Sequence, residues 1–261
     1  MSLVRVECEG AVARVVLCRV AMHNALVPEL LADLLAALAR LRDDDCRAVV
    51  LAAEGPAFSI GGDMRRFSHE GECGDLRAYG DKLVGQLNEA ILALIDMPQP
   101  VVAAVNGIVT GGSIGLVLAA DIVLLAPQAV FKAHYATAGF GPDGGWTALV
   151  SRLAGRRRAA AALLLNRTIR AEEAVAWGLA NEIVAADSLH ADAFKAARKM
   201  AAYPFGTMRA AKRLLWGDRA QLVADLEAER ARFAELIAAP EARAGVDAFL
   251  RDFGSYPDAT E

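Results

Sequence analysis

Cysteine and histidine are scarce in this chain, and their spacing excludes more than their number does. The four cysteines (Cys8, Cys18, Cys46 and Cys73) form no CxxC pair and no metal-ligand spacing. That pattern points to reduced thiols and a cytoplasmic setting, not to a disulfide framework or a zinc site. No metal or redox cofactor is expected, because no cluster of ligands is present and the glycines do not spell a dinucleotide fingerprint. A basic excess is missing too. Lysine and arginine number 28 against 32 acidic residues, giving a formal net charge of −4 and an isoelectric point of about 5.7. Such a balance gives no electrostatic reason to bind nucleic acid or an anionic membrane. The opening residues, MSLVRVECEG, lack the apolar core of a signal peptide. One uncharged run, Val101 to Ala120, is long enough to cross a bilayer. It holds Asn106, Thr110, Ser113 and four glycines and has no flanking basic cluster, so a buried strand followed by a buried helix explains it without a membrane.

What is present suits a sizeable core: 261 residues, of which 55% are hydrophobic. The chain is organised around PVVAAVNGIVTGGSIGLVLAAD, from Pro100 to Asp121. A β-branched run, then glycines, then a run of helical composition reads as strand, turn and helix start. The first amides of a helix lack intrahelical partners and, with the helix dipole, favour negative charge. Gly112 there is a candidate oxyanion donor. Around this stretch, Leu3–Glu9 and Val12–Cys18 read as a hairpin, Asn24–Leu41 as an amphipathic helix and Arg47–Ala53 as a buried strand. Arg65–Gly74 reads as a polar, mobile loop, Leu76–Ile95 as a long helix, and His134–Gly145 as a glycine-rich loop. Strands alternating with helices predict an α/β fold with mostly parallel strands over residues 1–200, and the last stretch, 201–261, a helical region, with Pro204 nearest the boundary.

Five ordered motifs carry a family resemblance: HNAL at His23, AFSIGGDM at Ala57, PVVAAVNGIVTGGSIGLVLAADI at Pro100, GFGPDGG at Gly139 and AVAWGLANEIV at Ala174. Their order and spacing resemble the crotonase (enoyl-CoA hydratase/isomerase) superfamily. The resemblance implies a crotonase-like spiral of ββα repeats, a C-terminal helical trimerisation region and a homotrimer or dimer of trimers. It implies an acyl-CoA thioester as substrate, coenzyme A being part of that substrate. The thioester oxygen would accept hydrogen bonds from the amides of Ile60 and Gly112, which stabilise an enolate as charge develops. The same resemblance assigns Tyr135, His134, Phe140, Trp146 and Asp63 to substrate binding, and Arg19, Ala57 and Ser59 to coenzyme A.

The chain departs from the hydratases at both of their glutamates, where it has Gly115 and Tyr135. Water addition needs a base for the water and an acid for the α-carbon, each worth on the order of 10²–10⁴ in rate. What remains is Asp143, in the PDGG loop, where some isomerases of the superfamily carry their acid/base. One carboxylate suits a proton shift from one carbon to another, provided burial raises its pKa. The expectation is therefore an isomerase of a double bond or a ring. A hydratase and a catalytically inactive acyl-CoA-binding protein are the alternatives; Pro-Asp-Gly is also a common turn. Dehalogenases of the superfamily add a histidine, matched here by Asn88, and a tryptophan, matched by Tyr135. Gly111 to Gly115 also spells the G-x-S-x-G of serine hydrolases, but the expected strand ends at Val105, too early for such an elbow. Ser113 is expected to cap the helix.

Overall fold

The computed structural model describes residues 2–253. The chain opens with a hairpin, β1 (Val4–Glu9) and β2 (Val12–Leu17), then α1 (Pro28–Arg42), β3 (Ala48–Ala53), β4 (Ala57–Ser59), α2 (Met64–Cys73) and α3 (Leu76–Asp96). The central stretch gives β5 (Val101–Val105), β6 (Ile108–Thr110), a 3-10 turn at Gly111–Ser113 and α4 (Ile114–Leu118). Next come β7 (Ile122–Leu125), β8 (Val130–Lys132), α5 (Tyr135–Ala138), α6 (Val150–Ala154), α7 (Arg156–Leu164), β9 (Ile169–Arg170), α8 (Ala171–Ala176) and β10 (Glu182–Ile183). Four helices end the described chain: α9 (Leu189–Ala201), α10 (Phe205–Leu215), α11 (Arg219–Leu236) and α12 (Pro240–Phe253).

Two sheets result. The larger has the order β1-β2-β3-β5-β7-β10 and the smaller β4-β6-β8-β9. Pairings are parallel except β1 with β2 and β8 with β9. Each of the steps β3-β4, β5-β6 and β7-β8 gives one strand to each sheet before a helix follows, which is the ββα spiral. Strand periodicity explains why β3 and β5 are apolar throughout. Val49, Leu51, Val101, Ala103 and Val105 face the main core. Ala48, Val50, Ala52, Val102 and Ala104 face α9, which meets them with Leu189, Ala193, Ala197 and Ala201 at four-residue spacing.

The uncharged run Val101–Ala120 divides into two strands, a turn and a short helix, and among the described residues no helix is long and apolar enough to cross a membrane. Arg65–Gly74 is not a loop but most of helix α2. Asp63 caps it by accepting from the amides of Arg65 and Arg66, and Met64 and Phe67 bury its inner face. The final helices fold back on the rest. α11 lies along α3, and its Leu222, Leu226 and Phe233 join the main core. Asn88 of α3 fixes that contact by donating to the Leu226 carbonyl (3.1 Å) and to Glu227 (3.1 Å). α12 packs on α2 and α5. Residues 254–261 lie outside the described residues.

Candidate active site

The smaller sheet ends at a tight crossing of two glycine segments. After β4 the chain passes through Gly61 and Gly62; after β6 it passes through Gly111 and Gly112. Gly61 has a φ of +76°, and a Cβ there would lie 2.7 Å from the Thr110 carbonyl oxygen, so only glycine lets the segments approach. A cavity of about 590 Å³, its open mouth included, lies over this crossing and is bordered by Gly61, Gly62, Thr110, Gly111 and Gly112.

Gly112 is the second residue of the 3-10 turn, so its amide has no partner within the turn. Ile60 differs from expectation. Its amide is directed at the His23 carbonyl, to which it donates at 3.3 Å. The next residues bridge Leu26: the Leu26 amide donates to Gly61 (2.7 Å) and the Asp63 amide donates to Leu26 (3.2 Å). In a parallel bridge of this kind the middle residue's own amide turns away from the paired segment. Gly62, not Ile60, therefore has its N–H aimed away from residues 23–26, and it borders the cavity with Gly112.

Asp143 sits against this floor. A methyl group on Gly112 would collide with Asp143 Oδ2 and lie 2.6 Å from Leu87 Cδ2. The other carboxyl oxygen, Oδ1, accepts from the Tyr135 hydroxyl at 2.5 Å. Asp143 is 7% exposed and is the one carboxylic acid bordering the cavity among the described residues. Its pKa is pushed up to about 7, by burial first and by the negative charge of Glu229, while the Tyr135 hydrogen bond pulls the other way. Tyr135 is held well above the usual phenol range by burial and by Asp143's charge, so it remains a proton donor in this pair.

Glu229 had no signal in the sequence. It lies on α11, 5% exposed. It accepts from the amides of Gly145 (2.7 Å), Thr147 (2.6 Å) and Ala148 (2.9 Å) and from the Thr147 hydroxyl (2.5 Å). Burial raises its pKa, and these donors oppose the rise.

The other expected site residues divide. His134 and Phe140 border the cavity. His134 is pushed down to about 4, by burial and then by Lys132, and is neutral at pH 7. Trp146 does not border the cavity; it is fully buried, and its indole N–H donates to the Gly111 carbonyl (2.8 Å), fixing the turn from behind. Asp63 does not border the cavity; it caps α2 and pairs with Arg19 at 2.7 Å. A second bond from Arg19 to the Ala25 carbonyl (2.9 Å) engages another of its guanidinium nitrogens within the protein. Ala57 and Ser59 are buried in β4, where Ser59 donates to the Asn24 carbonyl (2.7 Å), so neither side chain offers surface to coenzyme A. Ser113 is buried and donates to the Thr110 (2.7 Å) and Ser59 (3.2 Å) carbonyls, while His190 lines a separate groove with Arg5 and Arg14. A serine triad is thereby excluded.

The cavity walls are apolar and ring-bearing. Phe67 of α2, Phe140 and Phe233 of α11 border it and pack on one another, with centroids 5.9 Å (Phe67–Phe140) and 5.3 Å (Phe140–Phe233) apart. Met64, Leu83, Leu87 and Phe249 add to the apolar lining beside them, as does Ile60.

A family model described as enoyl-CoA hydratase/isomerase matches residues 7–253. A 4-chlorobenzoyl coenzyme A dehalogenase from Arthrobacter sp. is 32% identical over 202 residues, covering 77% of this chain and 73% of its own. The 1,2-epoxyphenylacetyl-CoA isomerase of Escherichia coli (strain K12) is 32% identical over 256 residues, covering 96% of each chain. The crystal structure of an enoyl-CoA hydratase from Bacillus halodurans aligns with a TM-score of 0.88, covering 95% of this chain and 100% of that one. Its 24% identity makes that a likeness of fold alone.

Proposed function

The chain belongs to the enoyl-CoA hydratase/isomerase family, which acts on acyl-CoA thioesters, and from that premise we propose that it isomerises its substrate by a proton shift carried by Asp143. The observation that supports this best is the seat of Asp143: a buried carboxyl with one oxygen on Tyr135 and the other beside the Gly112 backbone. In this reading the amides of Gly62 and Gly112 donate hydrogen bonds to the thioester oxygen. Ionised Asp143 takes a proton from the carbon next to the thioester, and electron density moves onto the oxygen as an enolate. Asp143 then returns the proton to a carbon further along, the double bond shifts, and no atom is gained or lost. A carboxyl near pH 7 serves both halves, since it must accept and then donate. Removing one oxyanion donor costs roughly 3–4 kcal/mol of barrier in other enzymes.

The preference over hydration draws on position 115. A Cβ on Gly115 would collide with Ile91 and with the Gly144 carbonyl, which leaves no room for a glutamate there. Tyr135 stands at the second glutamate position as a donor to Asp143, not as a second base. The ring-lined walls favour an acyl group with a ring, and two relatives are named for such substrates, 4-chlorobenzoyl-CoA and 1,2-epoxyphenylacetyl-CoA. Assembly as a homotrimer belongs to the same proposal; Leu214 and Leu215, at 80% and 84% exposed, are apolar surface that another copy would cover.

The test is one incubation in heavy water with a 3-enoyl-CoA, a 2-enoyl-CoA and a phenylacetyl-type epoxide thioester, read by mass and NMR. Isomer formation with deuterium arriving only at carbon supports the proposal. A water adduct of the 2-enoyl thioester would overturn it in favour of hydration. Tight binding with no turnover of any thioester would overturn it in favour of an inactive acyl-CoA-binding protein.

A further inference from the structure

A carboxylate is an expensive thing to bury, and Glu229 is buried without a cationic partner among the described residues. All four of its hydrogen bonds go to one short stretch, Gly145 to Ala148, joined to Asp143 through Gly144. That turn is in unusual backbone territory: Gly144 has a φ of +64° and Gly145 of +89°. At Gly144 a Cβ would collide with the backbone of Gly112. The loop thus reaches the oxyanion segment by a close crossing that it has no helix or strand of its own to maintain. Glu229 stands on α11, and α11 is fastened to α3 through Asn88 and through the Arg230–Asp81 pair (2.9 Å). α3 in turn supplies Leu87 beneath Gly112 and Ile91 beneath Gly115. The loop and the oxyanion segment are therefore referred to the same pair of helices.

We propose that Glu229 is a positioning residue: its carboxylate gathers the Gly145–Ala148 backbone onto α11 and so holds the Asp143 carboxyl between Gly112 and Tyr135. Two charged or titratable groups act on Asp143, Tyr135 from α5 and Glu229 from α11. Tyr135 favours the ionised form and Glu229 the protonated one. Removing the Glu229 charge lowers the pH at which Asp143 titrates, and releasing the turn exposes Asp143 to water, which lowers it again. The kinetic consequence rests on the proposal that Asp143 carries the proton; the titration does not.

The experiment labels aspartate carboxyl carbons with ¹³C and follows Asp143 by NMR from pH 5 to 9, with Asp143→Asn to assign the signal. In Glu229→Gln the midpoint is expected to fall by about half a unit or more. Turnover is expected to fall about tenfold with KM within about twofold, as for a displaced proton carrier. A folded Glu229→Gln protein with an unmoved midpoint would overturn the proposal. Should glutamine prevent folding, Glu229→Asp and Thr147→Val replace it. Aspartate keeps the charge but shortens the reach, so turnover drops while the midpoint stays within about half a unit of wild type. Thr147→Val removes one donor and is expected to reduce turnover less than Glu229→Asp does. Unchanged turnover in both would overturn the proposal. A wild-type protein that turns over nothing defeats the proton-carrier reading, and the NMR midpoint still decides the role of Glu229.

Discussion

Replacing Asp143 by asparagine is expected to stabilise the protein increasingly as the pH rises, and the size of the effect follows from the site. In the folded protein the carboxyl titrates near 7, against 3.8 in an unperturbed chain, with burial the leading cause. Between those values the folded state keeps a proton that the unfolded chain has released. Stability therefore falls as the pH rises, by about 1.4 kcal/mol per unit for this one group. Its contribution is complete below pH 4 and is lost as the pH passes 7. From pH 5 to pH 8 the loss amounts to about 2.5 kcal/mol. Asparagine carries no such proton and keeps the shape. The stability difference between variant and wild type should therefore grow by that amount across the window. For a chain of this size each kcal/mol moves the melting temperature by roughly 2–4 °C, so the two melting curves should separate by roughly 5–10 °C more at pH 8 than at pH 5. Thermal or urea melts in buffers of matched ionic strength read it directly, whatever the substrate. A difference that stays flat with pH would refute the buried, titrating carboxyl, and a difference of the opposite slope would mean that Tyr135 outweighs burial.

The remaining predictions concern single contacts. Tyr135→Phe removes the side-chain hydrogen bond that favours ionised Asp143, so the midpoint of the kcat/KM profile should rise by about one unit from near 7. Activity at pH 7 then falls about fivefold and recovers by pH 9; loss at every pH would instead point to a direct role for the hydroxyl. Gly112→Ala places a methyl group where Asp143 Oδ2 lies, and turnover should fall at least about a hundredfold with the fold intact by circular dichroism. Gly115→Glu, which restores a hydratase glutamate, should yield a destabilised protein and no water adduct, because Ile91 and the Gly144 carbonyl occupy the space.

Most of the fold was legible because its signals are local. The hairpin across Gly10, the all-apolar β5 and the four-residue spacing of the alanines on α9 each follow from a periodicity that neighbouring residues share. Helix α2 was not, since only Met64 and Phe67 of it are buried, and the rest of its sequence is that of a polar loop. The glycines at 61, 62, 111 and 112 announced a site, but which amide faces it depends on the bridge to Leu26, a partner 36 positions away from Gly62. The aspartate of the PDGG loop stood out by its motif. Its partner Tyr135 was legible only as a missing glutamate, and Asp63 and Arg19, which neutralise each other, read as independent ligand contacts. Glu229 is one acidic residue among several on α11, and nothing in its neighbourhood marks it as buried.

Phe140 apart, the phenylalanine rings that shape the cavity come from a different part of the molecule than the groups proposed to do chemistry. Gly62, Gly112 and Asp143 lie on turns at the end of the smaller sheet, where almost any added atom collides with backbone or with a buried side chain. Phe67, Phe233 and Phe249 come from α2, α11 and α12, which are layered on the outside. Mutation can therefore explore new acyl groups by changing the outer helices while the turns beneath them stay constant. Substrate range and reaction can then change independently, because the two properties are carried largely by separate sets of residues.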